Sequence, residues 1–396
     1  MLAVALALLL AAFNFVVDPY GAFDPPRMRG VNELPLGLNV RPMVARALAL
    51  GRVRPADLVL GNSRAERGYD PRHAGFAERP AYNAGIGGAG IGEVRRYFFE
   101  ALATGGLRRV LLALDLEMFQ PSLLASQRIP DVAMLTDASG APAPAGRRPL
   151  RLAFALLSGA TTSDSWWSLR HQRERVAVYL PSGLREGSYD ESQVEREGGP
   201  RGASLRSEAA FFSVSFRDAQ TPGFRAGYEA ALAQLADIVA ASARAGVRLD
   251  LVLNPVHAWH SYVYEDAGLW PLYEQWKRDL VAMTARSPGV ALWDFSGVSE
   301  CTSDPVPAAA DPAAKMRWYR ESGHFRPALG DVVLDHVYGR PQSACPGLGR
   351  RLDAGTIAAM LAEQRTALAR WKERHPGDVS ELDELARQYG RGRAGT

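Results

Sequence analysis

The stretch Asp57-Leu58-Val59-Leu60-Gly61-Asn62-Ser63-Arg64 is a short apolar run that stops in a polar turn. An apolar run of this length bounded by turn residues reads as a buried strand, and the turn sets a serine hydroxyl just beyond the strand's carboxyl end. Further runs of the same kind follow at Pro80–Ala84 (weaker, opening into Gly85-Ile86-Gly87-Gly88-Ala89-Gly90), Arg109–Asp115, Arg248–Asn254 and Val290–Phe295. Between and after them lie segments of helical periodicity at 39–50, 91–104, 225–245, 268–286 and 328–338. Short buried strands alternating with helices predict a parallel sheet covered on both faces, here with about five strands. The expected fold class is therefore α/β, a three-layer flavodoxin-like domain.

Outside this frame the chain is less regular. Residues 2–17, LAVALALLLAAFNFVV, are apolar except for Asn14. As a helix they reach roughly 25 Å against a hydrocarbon core of ~30 Å. With no basic residue before it and no convincing cleavage site after it, the segment is expected to be an uncleaved transmembrane signal anchor, with a cleaved signal peptide or a buried N-terminal core helix as the alternatives. Residues 18–350 form the α/β domain. Within it, 120–224 read as a long, partly helical insertion, with one helix near 149–158. Residues 351–396 are expected to be a helical tail at the surface.

The chain has 396 residues, 47% hydrophobic and 22% charged, which is globular composition. Its formal net charge is only +3, and arginines are interleaved with acidic residues along the chain. Without a basic stripe interleaved with aromatics, nucleic acid is not an expected partner. The Arg- and Ala-rich composition suits a GC-rich bacterial genome. Cys301 and Cys345 lie in no metal-type spacing, so neither a metal site nor any cofactor is expected. The two cysteines either pair or remain separate buried thiols, and the spacing does not choose.

In open parallel sheets the ligand site lies beyond the carboxyl ends of the strands. Ser63, Asn83 with Gly85, Asp115 with Glu117, Asn254 with His257, and Asp294 all fall at such ends, and Glu321-Ser322-Gly323-His324 follows the last strand. A serine hydroxyl becomes a nucleophile when a base takes its proton. His324 is positioned in the order of elements to be that base, with Glu321 to orient it; Asp294 is the alternative acid.

On these residues the chain resembles the SGNH hydrolase family, which includes carbohydrate esterases and polysaccharide O-acetyltransferases. Gly61-Asn62-Ser63-Arg64 resembles the family's nucleophile block, and Glu321-Ser322-Gly323-His324 its Asp-x-x-His block with Glu for Asp. Gly85 in Asn83-Ala84-Gly85 is the nearest match to the oxyanion glycine. The third block normally carries an asparagine, whereas here the strand ends Leu114-Asp115-Leu116-Glu117. The resemblance implies a serine esterase or O-acyltransferase with Ser63, His324 and Glu321 as catalytic residues. It also implies an oxyanion site built from Ser63, Gly85 and Asn83, each donor worth roughly 3–4 kcal/mol. Arg64, Asp115 and His257 are the expected substrate contacts, with Arg64 alternatively bracing the turn and Asp115 alternatively a structural hydrogen-bond acceptor. The substrate implied is an acyl ester of a cell-envelope or exported carbohydrate. The expected location is the bacterial inner membrane, single-pass, with the main domain facing the periplasm. A catalytically inactive, polysaccharide-binding derivative of the fold is the alternative, favoured by the missing asparagine.

Two other patterns compete for attention. Gly85-x-Gly87-x-x-Gly90 formally matches a dinucleotide fingerprint, but it follows a weak second strand and no acidic residue closes a strand about 20 residues on. His257 and His260 lack a third metal ligand at a telling spacing and are expected to line the cleft or pack beneath the insertion.

Overall fold

The computed structural model describes residues 1–124, 128–144, 147–174, 176–214, 219, 221–287, 289–340 and 344–390. Parts of the expected insertion (120–224) and of the expected tail (351–396) lie outside the described residues. The chain is mixed α/β, built on a sheet of six strands: β1 (Asp57–Leu60), β2 (Ala81–Asn83), β3 (Arg109–Leu114), β4 (Arg248–Leu253), β5 (Val290–Asp294) and β8 (Arg350–Arg351). Between them in sequence, β6 (Tyr319–Glu321) and β7 (His324–Phe325) form a separate antiparallel hairpin.

The sheet order is β2-β1-β3-β4-β5-β8, with β1 to β5 parallel and the two-residue β8 antiparallel at the edge. In register, Leu58 lies beside Val110 and Leu60 beside Leu112, Leu112 beside Leu251, and Leu251 beside Leu292. All of these are buried, which is why the strands read as continuous apolar runs and not as alternating ones. From β1 the chain passes to β2 on one side and then to β3 on the other. This reversal opens a crevice beyond the carboxyl ends of β1 and β3, the place where open α/β sheets bind ligands.

The helices Ile91–Thr104, Pro222–Ala245, Trp270–Thr284 and Pro327–Val337 agree with the expected segments to within a few residues. The first expected helix instead spans Pro42–Val53, starting where proline suits the first turn and running through Gly51. The insertion holds more helix than its sequence suggested: Arg147–Leu157, Gly159–His171, Gly187–Arg196 and Gly199–Val214. The last of these packs on the β6–β7 hairpin and on the C-terminal helix Pro376–Tyr389.

The helices after residue 352 lie at the surface and pack one face against the body. Trp371 of the helix Ile357–Arg374 and Leu382 of the helix Pro376–Tyr389 are buried. Gln364 accepts a 2.7 Å hydrogen bond from the buried Lys277 ammonium, which also pairs with Asp294 at 2.9 Å. Asp294 is thereby committed to the sheet edge, well inside the fold, and is not the acid partner of His324. Cys301 and Cys345 form a disulfide.

The expected membrane anchor does not hold. Among the described residues no helix is long and apolar enough to cross a membrane. The helix Leu2–Val17 has 16 residues, about 24 Å at 1.5 Å per residue and short of the ~30 Å core. Its last turn is also part of the fold: the Asn14 amide donates to the Leu156 carbonyl at 2.8 Å and to Thr162 Oγ1 at 3.0 Å, and Val17 is buried. Attachment to a membrane through this helix, and with it the single-pass inner-membrane placement facing the periplasm, is overturned by that finding.

Candidate active site

The turn after β1 becomes the short helix Ser63–Gly68. Asn62 caps it, its side-chain oxygen accepting from the Arg64 N–H at 2.9 Å. Gly61 is required before it, because a Cβ there would meet the Ala113 carbonyl and the Ala65 methyl at 2.7 Å. Ser63 thus occupies the first helical position. Its own backbone N–H, one of the donors a helix N-terminus leaves unpaired, has no hydrogen-bond acceptor among the described residues.

The β6–β7 hairpin brings the other side of the site. His324 Nε2 lies 2.9 Å from Ser63 Oγ, and His324 Nδ1 is hydrogen-bonded to Glu321 Oε1. The second Glu321 oxygen accepts from the Gly323 N–H at 2.6 Å, so the carboxylate spans its own two-residue turn. Serine, histidine and carboxylate therefore form one continuous hydrogen-bonded chain, drawn from residues 63, 321 and 324.

The electrostatics suit a proton acceptor. Burial and the nearby Arg67 guanidinium together hold His324 below its ordinary imidazole value, although Glu321 pulls the other way. Burial alone would raise Glu321, but the His324 contact and the Gly323 N–H bond bring it below the usual carboxylate range. At neutral pH the pair is thus an uncharged imidazole held by a carboxylate, the state a general base requires. The His324 side chain keeps 24% exposure, so a reactant can reach it.

The turn of the hairpin is clamped from two directions. From the sheet side, Arg64 Nε donates to the Gly323 carbonyl at 2.9 Å, while its Nη1 binds Asp115 Oδ1 at 2.6 Å. Asp115 Oδ2 accepts from Asn254 at 2.8 Å, and Asn254 in turn accepts from the Tyr69 hydroxyl at 2.8 Å. From the insertion side, Ser204 Oγ accepts from the Ser322 N–H at 3.0 Å, and Ser322 Oγ donates to Glu208 at 2.6 Å. Glu208 also holds His260 Nδ1 at 2.8 Å, and His260 Nε2 reaches Glu117 at 2.8 Å. Between two carboxylates His260 is lifted to about 9 despite its burial, and so is a cation at neutral pH. Burial would raise Glu117, yet Arg64 and His260 bring it down to about 2.

Several of the expected site residues have other duties. Asn83 spends its amide on the Ala65 and Tyr69 carbonyls, both at 2.8 Å, tying the end of β2 to the serine helix. Its oxygen accepts the Gly85 N–H at 2.8 Å. The two expected oxyanion donors from this turn are therefore bound to one another or to the fold. Gly85 is instead a site of close approach, where a Cβ would lie 2.5 Å from the Glu66 nitrogen. Arg64 and Asp115, both buried, brace the hairpin and have no open face for substrate. His257 is likewise corrected: it is 1% exposed, caps the helix Ala258–Asp266 through Nδ1, and meets the Asp304 carbonyl through Nε2 at 2.8 Å.

Glu208, Ser204 and Ser322 went unread as site residues. Glu208 and Ser204 lie in the insertion, more than 100 residues from the hairpin they hold, and nothing local marks them. Glu117 and His260 did carry a signal, since each follows the carboxyl end of a strand. Comparison with protein-family models gives no match, and comparison with curated proteins gives none either.

Proposed function

We propose that this chain is a serine esterase or O-acyltransferase of SGNH type, acting on acyl esters, with a carbohydrate ester as the form the sequence resemblance implies. The observation that carries the reading is the unbroken chain Ser63 Oγ–His324 Nε2–His324 Nδ1–Glu321. The strand order 2-1-3-4-5 within the sheet supports it, being the order of flavodoxin-like doubly wound domains with the site at their switch point.

In the reaction Ser63 Oγ attacks the ester carbonyl carbon while its proton passes to His324 Nε2. Glu321 holds the imidazole by Nδ1 and stabilises the imidazolium that forms. The tetrahedral oxyanion meets the Ser63 N–H at the helix N-terminus, where the helix dipole also favours negative charge. Collapse expels the alcohol, which takes the proton from His324, and leaves the acyl group on Ser63. Water or a sugar hydroxyl then gives its proton to His324 and attacks the acyl-enzyme, so hydrolysis and transfer share every residue of the chain.

A second reading, a binding protein that has lost catalysis, is favoured by one observation: the Gly85 N–H is taken by Asn83. Turnover of p-nitrophenyl acetate by the wild-type chain and by Ser63→Ala separates the two. The proposal expects at least about a 10³-fold loss in kcat on removing the nucleophile. Equal rates would leave the binding reading standing in its place.

A further inference from the structure

Beside His324 a cleft of about 390 Å³ has as its charged lining Arg67, Arg185, Arg206 and Arg320 with Asp190, Glu197 and Glu321, and His324 itself completes the wall. Four arginines there face three carboxylates, an excess of one positive charge. Asp190 and Glu191 are approached by Arg67 (3.4 Å to Asp190), Arg185 (2.5 Å to Asp190), Arg320, Arg326 (2.5 Å to Glu191) and Lys315 (3.5 Å to Glu191). Asp190 and Glu191 are thus each shared among several cations, although Arg67 also has Glu66 within 3.8 Å.

The donors are also unevenly satisfied. Arg320 is 3% exposed, and its Nε has no hydrogen-bond acceptor among the described residues; a carboxylate oxygen of Glu191 is 3.8 Å away. Arg67 has five N–H donors, yet among the described residues its polar contacts are all long: 3.4 Å to the Ser63 carbonyl, 3.4 Å to Asp190 and 3.8 Å to Glu66. It lies one helical turn beyond Ser63, on the helix that carries the nucleophile. At the mouth of the cleft Arg206 is 65% exposed and only 3.6 Å from Glu197. A buried guanidinium nitrogen without an acceptor is costly unless something supplies one.

We propose that this cleft binds an anionic group, carboxylate or phosphate, carried by the substrate next to its scissile ester, with Arg67 as the principal contact and Arg206 guiding entry. The inference rests on the esterase reading for its position beside Ser63, but the binding itself does not depend on turnover. A planar guanidinium donates two parallel N–H bonds to a carboxylate or phosphate, which fixes the anion's orientation as well as its charge. An anion held there would set the attached ester at a fixed distance from Ser63 Oγ. The site would thus select acidic esters over neutral ones of the same size.

The test is calorimetric titration of the full-length Ser63→Ala protein with trigalacturonate, a neutral galactose trimer and galactose 6-phosphate. At least one anionic probe is expected to bind 10-fold or more tighter than the neutral trimer, with an affinity that falls as salt rises. Stronger binding of galacturonate assigns a carboxylate, and stronger binding of the phosphate ester assigns a phosphate. Adding Arg67→Gln is expected to remove the preference and Arg67→Lys to restore part of it. Arg206→Gln, at an exposed position, gives a weaker loss of its own and guards against a folding defect in the first variant. Equal binding of charged and neutral probes, no binding of any probe, or a preference untouched by Arg67→Gln overturns the proposal. The esterase reading stands or falls separately, on p-nitrophenyl acetate turnover by wild type against Ser63→Ala.

Discussion

At His324 three influences meet on one ring: burial, the Arg67 cation and the Glu321 carboxylate. The first two favour the neutral imidazole and outweigh the third, so the folded value lies below the ordinary ~6.5. A general base works in its neutral form, which is present above that value. The value of kcat/KM for p-nitrophenyl acetate is therefore expected to rise with pH through a midpoint below ~6.5 and to be level through neutrality. Replacing Arg67 by Gln removes one of the depressing charges, so the acid limb should move to higher pH. A pH–rate series on the two proteins checks both points, and an acid midpoint above 7 in the wild type would contradict them. His260 stands in contrast: the same residue type, more deeply enclosed, is held as a cation because two carboxylates face it. Neither protonation state follows from the sequence. Each is set by partners that fold in from distant segments.

The serine helix is short, and its position is decided by what meets its two ends. At one end Asn62 caps it; at the other Gly68 runs against Phe325 and Gly330. A Cβ on Gly330 would fall on the Gly68 carbonyl oxygen, and backbone on that side has no flexible tip to swing away. Gly330→Ala is expected to cost about 1–3 kcal/mol by overpacking and to lower esterase activity by more than its stability loss explains, since the displaced element carries Ser63. Denaturant unfolding alongside turnover of the folded protein tests this; an unchanged rate with unchanged stability would show that the contact relaxes freely. The five parallel strands were legible because each is a buried apolar run bounded by turn residues, and Ser63 and His324 because they follow strand ends. The β6–β7 hairpin was not, since strands of three and two residues leave no periodicity to detect. The insertion helices were obscured by charge-mixed stretches such as 185–202, whose charges find partners in distant segments, as in Arg320–Asp190 and Arg201–Glu381. Asn83, Gly85 and His257 were read as site residues from their positions after strand ends, the first two also from the family resemblance. Their polar groups, however, serve the backbone turns that make those positions possible.

Taken whole, the molecule assembles its site from two bodies of chain that a disulfide keeps in register. Ser63 rides on the parallel sheet, whereas Glu321 and His324 ride on the segment between Cys301 and Cys345, a sequence separation of 44. That segment returns to the sheet through β8 and the C-terminal helices, whose Gln364 meets the buried Lys277–Asp294 pair. Cross-linking the ends of such a loop removes conformations mainly from the unfolded chain, and a closure of this length is worth about 2–4 kcal/mol. Cys301→Ser with Cys345→Ser is accordingly expected to lower the denaturant midpoint by an amount in that range. The loss should not be uniform, because β1 to β5 lie outside the closed loop and keep their hydrogen-bonded neighbours. The hairpin, held by Arg64, Ser204 and Glu208, should loosen first. Ester turnover in the double-serine variant is then expected to disappear at a lower denaturant concentration than the far-ultraviolet helical signal, whereas in the oxidised wild type the two transitions lie closer together. Coincident transitions in both proteins would mean that the loop and the sheet unfold as one unit and that the disulfide does no more than shift their common midpoint.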